Sequence, residues 1–113
     1  MVLLDFSMTP LGEGESVSRY VARCLEVVAS SGLPYRLHAM GTTLEGELEQ
    51  VLDVVGRCFQ ALEPDCDRVT CSIKIDSRKA PAGRLDSKVR KVQEIVGRPL
   101  QTDGLDDPLL ESG

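Results

Sequence analysis

An α+β sandwich, with helices packed on one face of an antiparallel sheet, is the fold class this sequence predicts, and three observations carry it. Residues 2–8 and 69–76 alternate apolar and polar side chains with period two. Between them, two longer segments repeat apolar residues at helical spacing. Clusters of Gly and Pro separate these runs, so each is a discrete element.

In the first run Val2, Leu4, Phe6 and Met8 share one face, and Leu3, Asp5 and Ser7 the other, as in a strand with one side in a core. Residues 9–14, with Pro10, Gly12 and Gly14, are expected to form a loop. Ser16 or Ser18 is placed to cap a helix running to about residue 31, whose stripe is Val17, Tyr20, Val21, Cys24, Leu25 and Val28. Gly32 fits the position just past its end, with Pro34 beyond. Residues 35–40 then return as a strand. Met40 and Gly41 suggest a tight turn using the positive φ open to glycine, and residues 42–45 a short partner strand. Thr42 and Glu45 also have the S/T-x-x-E spacing of a capping box.

The strongest stripe is Leu48, Val51, Leu52, Val55, Cys58, Phe59 and Leu62, which predicts a helix over 47–62. Gly56 inside it costs about 1 kcal/mol relative to Ala, so a close helix contact is expected there. In the strand 69–76, Val69, Cys71, Ile73 and Ile75 face inward, and Thr70, Ser72, Lys74 and Asp76 outward. After a loop at 79–83, a third helix over 85–96 buries Leu85, Val89, Val92 and Val96 and exposes Arg84, Lys88, Arg90 and Lys91.

The order β-α-β-β-α-β plus a C-terminal helix is that of a ferredoxin-like sandwich. Residues 1–98 are expected to form this single domain, and residues 99–113 an acidic, flexible tail. Of the net charge of −5, that tail carries Asp103, Asp106, Asp107 and Glu111 with no Lys or Arg. Aromatics are 4% of the chain, which argues against a base-stacking surface, and the negative charge argues against phosphate-backbone binding. No run approaches a membrane span and no secretory signal pattern opens the chain, so a cytoplasmic location is expected. Cys24, Cys58, Cys66 and Cys71 form no CxxC and read as free thiols, with Cys66, in a loop, the most open to oxidation. The outward sheet face and the short edge strand 42–45 predict self-association, at least as a homodimer.

Catalytic groups are scarce. His38 is the only histidine, and Ser16 and Ser18 read more simply as helix caps than as nucleophiles. The loop at 9–15 has no Lys or Arg to cradle a phosphate. Glu45, Glu47 and Asp5 offer too few oxygens for Ca²⁺ or Mg²⁺. Residues 38–47 instead concentrate hydroxyls and carboxylates between a strand and a helix. Glu45, Thr42, Thr43, Ser7 and Ser16, with Phe6 or Met40 as an apolar floor, suit a small polar or cationic ligand.

Several segments in order, Asp5-Phe6-Ser7-Met8, Pro10-Leu11-Gly12, Ser16-Val17-Ser18, Tyr20-Val21-Ala22, Met40-Gly41-Thr42, Leu44-Glu45-Gly46-Glu47 and Lys74-Ile75-Asp76 with Arg78, resemble the YkoF-like thiamine-binding family. The resemblance spans most of residues 4–92. It implies a ferredoxin-like fold, dimers assembled into a homotetramer, no cofactor, and non-catalytic binding of thiamine or its hydroxymethylpyrimidine part. Carried onto this sequence, it points to Ser16, Ser18, Met40, Gly41, Thr42 and Glu45 as pocket residues, with Lys74, Asp76 and Arg78 structural or interfacial. Ala39 departs from it, since family members often carry proline there. The competing expectation is a ligand-free oligomeric scaffold or regulatory module that holds another protein through its sheet face and basic third helix.

Overall fold

The computed structural model describes residues 1–12, 14, 17–79 and 83–102. The expected tail at 99–113 therefore lies outside the described residues, apart from 99–102. The elements are β1 (Val2–Leu11), α1 (Val17–Ser30), β2 (Tyr35–His38), β3 (Gly41–Gly46), α2 (Leu48–Leu62), β4 (Arg68–Ser77) and α3 (Arg84–Val96). The strands form one antiparallel sheet in the order β2-β3-β1-β4. This is the ferredoxin-like α+β arrangement, with α3 added.

The core follows from the alternation of β1. Val2, Leu4, Phe6 and Met8 are buried under Tyr20, Cys24 and Val28 of α1 and Val51, Val54, Val55, Cys58 and Leu62 of α2. Both helices are amphipathic and bury part of their apolar stripes against one sheet face, while Leu48, Leu52 and Phe59 of the expected α2 stripe stay exposed. Gly32, at φ +78°, ends α1 as expected.

Several local expectations are corrected. β1 does not stop at Met8 but continues through Pro10, which pairs with Val69 on β4. β3 accompanies β1 only as far as Phe6, where Thr42 lies opposite. The Arg78 N–H donates to Met1 O at 3.5 Å, so by strand alternation the odd residues of β1 bond to β4. Pro10 therefore directs its missing N–H to the side that β3 has left open.

The 42–45 segment is not an edge either, because β3 lies between β2 and β1. Gly41 has no positive φ. What excludes a side chain there is the Phe6 carbonyl oxygen, 2.6 Å from where a Cβ would sit. The capping box belongs to Glu47 and Gln50 rather than Thr42 and Glu45: Gln50 Oε1 accepts the Glu47 N–H at 3.0 Å. Gly56 meets nothing within 4 Å, so no close helix contact explains it. Cys66 is buried, against the expectation that it is the thiol most open to oxidation, and none of the four cysteines forms a disulfide. On α3, Leu85 and Val89 are half-buried, whereas Val92 and Val96 are exposed.

Candidate functional site

The alternation of β1 and β3 divides the candidate residues between the two sheet faces. Thr42 pairs with Phe6 on the helix side and is 3% exposed. Thr43 and Glu45 pair with Asp5 and Leu3 and point to the opposite face. Beyond Phe6, where β1 runs on without β3, a cavity of about 160 Å³ opens under the N-terminal turns of α1. Its floor is Phe6, Met8, Val21, Cys24 and Leu25, and its rim is Ser7, Thr9, His38, Met40, Gly41 and Thr42.

Of the eight residues expected at the site, Ser7, Met40, Gly41 and Thr42 line this one cavity. Ser18 is exposed in the first turn of α1 and does not line it, although Val17 does. Ser16 lies outside the described residues. Thr43 and Glu45 are held away from it by the pleat.

Glu45 is nonetheless fully engaged. It is 1% exposed, and its carboxylate accepts the backbone N–H groups of Gly83 and, at 3.0 Å, Leu85. These are unpaired donors at the N-terminus of α3, where a negative charge is also favoured by the helix dipole. The carboxylate expected to face a cationic guest thus pins α3 to the far face of the sheet. Arg36 reinforces the docking through an ion pair in which its Nη2 donates to both Asp86 carboxylate oxygens, at 3.1 and 3.2 Å.

A second polar cluster supports the turn between β2 and β3. His38 Nδ1 accepts the Met40 N–H at 3.3 Å, so the ring hydrogen sits on Nε2 and is donated to Asp5 Oδ1 at 2.8 Å. The same Asp5 oxygen accepts the Thr43 hydroxyl at 2.9 Å. The sequence hid this role of His38 and Asp5; the only signal was that both fall on the outward side of their strands. The Thr43 hydroxyl points at the carboxylate and not at the imidazole, so the trio is wired to hold a turn rather than to activate a nucleophile. His38 also borders a second cavity of about 340 Å³ between the sheet and α3, lined by Arg36, Thr43, Leu85 and Thr102 among others. There Arg36 Nε and Thr102 Oγ1 are buried without hydrogen-bond partners among the described residues. Among the described residues, no helix is long and apolar enough to cross a membrane.

Residues 4–93 match the sequence model of the family described as thiamine-binding protein. The chain belongs to the thiamine-binding protein family. Curated relatives include the UPF0045 proteins of Methanocaldococcus jannaschii, 37% identical over 83% of this chain and 94% of that protein, and of Mycobacterium tuberculosis, 39% identical over 87% and 97%. Among solved structures, a Bacillus cereus domain of unknown function superimposes with a TM-score of 0.71 at 42% identity, covering 80% of this chain and 88% of that one. A Thermotoga maritima protein described as a candidate thiamine biosynthesis or salvage protein superimposes with a TM-score of 0.72 at 26% identity, over 80% and 97%.

Proposed function

We propose that this chain is a cytoplasmic, non-catalytic binding protein for thiamine, gripping it by the hydroxymethylpyrimidine part in the cavity beneath α1. The observation that carries the reading is the convergence of Ser7, Met40, Gly41 and Thr42 on one cavity with an apolar floor. A flat aminopyrimidine has apolar faces to lay against Phe6 and Met8 and a polar edge for the Thr42 hydroxyl and the backbone of Ser7 and of the turn, the pleat turning the Ser7 side chain to the other face. Among the described residues no carboxylate lines the cavity, and Glu45 is occupied elsewhere. The uncharged pyrimidine therefore suits the described lining better than the thiazolium cation, for which that lining offers no counter-charge. Self-association as a homodimer or homotetramer is part of the same proposal. Neither nucleic acid nor a membrane is a partner in this reading.

Calorimetry with thiamine, hydroxymethylpyrimidine and the isolated thiazole alcohol tests it. Heat of binding with the first two and none with the third is expected. Failure of both pyrimidine compounds to bind below millimolar concentrations overturns the proposal. The rival reading, a ligand-free scaffold, draws on Val92, Ile95 and Val96, exposed together on α3; it gains if the protein assembles yet takes up none of the three compounds.

A further inference from the structure

Three sulfur atoms meet where β1, α1 and α2 come together. Cys24 Sγ donates to Met8 Sδ at 3.9 Å, and Cys58 Sγ donates to the Cys24 carbonyl oxygen at 3.6 Å. Cys24 lies on α1 and Cys58 on α2, so a sulfur on one helix reaches the backbone of the other and the helices cross closely at this pair. The two thiols also hydrogen-bond to each other, and neither forms a disulfide. Ligand binding uses Cys24 only as part of an apolar floor, which leaves two adjoining thiols without a role.

The pair is asymmetric. Cys24 lines the cavity beneath α1 with Met8 beside it, whereas Cys58 is wholly buried and does not line it. That cavity, of about 160 Å³, is several times the roughly 30 Å³ that a water molecule occupies. Hydrogen peroxide, little larger than water, therefore has room beside the Cys24 sulfur. The hydrogen bond from Cys58 holds the Cys24 thiol below its ordinary value of 9.0, against the effect of burial and with help from the Arg23 charge. The same bond, together with burial, keeps the proton on Cys58. Since the thiolate is the nucleophile, Cys24 is the one equipped to react. Burial raises the Cys71 thiol instead, and Cys66 borders a separate groove with Phe59, Glu63 and Val69.

We propose that Cys24 is a peroxide-reactive thiol inside the cavity, and that Cys58 resolves its oxidised form into a Cys24–Cys58 disulfide joining α1 to α2. In the first step the Cys24 sulfur attacks one peroxide oxygen and the O–O bond breaks. The departing hydroxide takes the thiol proton as water, leaving Cys24 as a sulfenic acid. In the second, the Cys58 sulfur attacks the Cys24 sulfur, the S–O bond breaks, and the leaving hydroxide carries off the Cys58 proton as a second water. Two thiols are oxidised and one peroxide is reduced. The step needs the cavity but not its ligand, so it stands apart from the proposed thiamine binding.

Mass spectrometry of the folded wild-type chain after mild treatment with hydrogen peroxide tests this. Cleavage at Arg and Asp separates all four cysteines into different peptides. The expected product is a single disulfide-linked pair holding Cys24 and Cys58, with Cys66 and Cys71 recovered as alkylated thiols. Cys58→Ser should halt the reaction at a Cys24 sulfenic acid, captured by dimedone, and Cys24→Ser should leave Cys58 reduced. Dimedone labelling of Cys24 should run at least about tenfold faster than that of Cys71. Recovery of four alkylated thiols, oxidation of Cys66, Cys71 or Met8 ahead of Cys24, or a Cys24–Cys58 link that forms only in urea each overturns the proposal. The wild-type mapping decides this even where a serine variant fails to fold, and calorimetry with hydroxymethylpyrimidine reads the ligand proposal separately.

Discussion

Glu45 Oε2 accepts the Leu85 N–H at 3.0 Å, tying the end of β3 to the first turn of a helix forty residues later. A buried carboxylate facing helix N–H donors is a charge-assisted arrangement in which both partners would be unsatisfied if separated. Glu45→Gln replaces one of its acceptor oxygens with an amide that cannot accept. The variant should lose about 2 kcal/mol of stability, the scale of a hydrogen bond to a charged group with a helix-end contribution, seen as a lower urea midpoint and faster amide exchange in α3. Its affinity for hydroxymethylpyrimidine should be unchanged, because Glu45 does not line the cavity. A variant of wild-type stability would show that α3 is held by other contacts.

Gly41 and Gly56 separate two uses of glycine. A Cβ on Gly41 would lie 2.6 Å from the Phe6 carbonyl oxygen, a backbone atom that cannot swing aside. Gly41→Ala should therefore destabilise by about 1–3 kcal/mol through forced backbone movement. Gly56, in the middle of α2 with nothing within 4 Å, carries only the conformational cost of glycine in a helix. Gly56→Ala should stabilise by up to about 1 kcal/mol. Thermal unfolding of the two variants should shift in opposite directions.

These two glycines also show what the sequence could reveal. The helix stripes and the β1 alternation are local, and they placed the core, the element order and the fold class. Gly41 marked an important turn, but its reason is a contact with β1 across the sheet, which no local pattern encodes. Glu45 sat within a plausible capping-box spacing with Thr42, yet strand alternation puts those two side chains on opposite faces. Its true partners lie at Gly83 and Leu85. Pro10 read as a breaker because the sequence does not show that β1 loses β3 as a neighbour after Phe6. Ser7, Met40, Gly41 and Thr42 were legible as a set because they cluster at one end of adjacent strands. Thr43 followed them in sequence but not in space.

The thiol of Cys71 gives the fold a pH dependence on the alkaline side. Burial raises its pKa above the ordinary value of 9.0, with a smaller contribution from neighbouring Cys24. In the unfolded chain this thiol ionises near its ordinary value, while in the folded chain it keeps its proton to higher pH. Above that point the unfolded state binds fewer protons, so stability falls as pH rises toward the folded value. Cys71→Val removes the titration. The urea midpoint of the wild type should drop more steeply than that of the variant from about pH 8 to about pH 10. Parallel slopes would mean that Cys71 titrates alike in both states.

Thr42 offers the sharpest test of the cavity. It is buried between the helix layer and the β2–β3 turn, lines the rim, and pairs across the sheet with Phe6, part of the floor. Thr42→Val keeps its shape and its strand preference while deleting one hydroxyl. The folded protein should change little in stability. Hydroxymethylpyrimidine affinity, by contrast, should fall by about 0.5–1.5 kcal/mol, the net contribution of one hydrogen bond, which is roughly two- to tenfold in dissociation constant. A valine that binds as tightly as threonine would remove this hydroxyl from recognition and leave the backbone of Ser7 and of the turn to hold the polar edge. Paired with Glu45→Gln, the variant separates the two sheet faces: one substitution should weaken binding and spare the fold, the other should weaken the fold and spare binding.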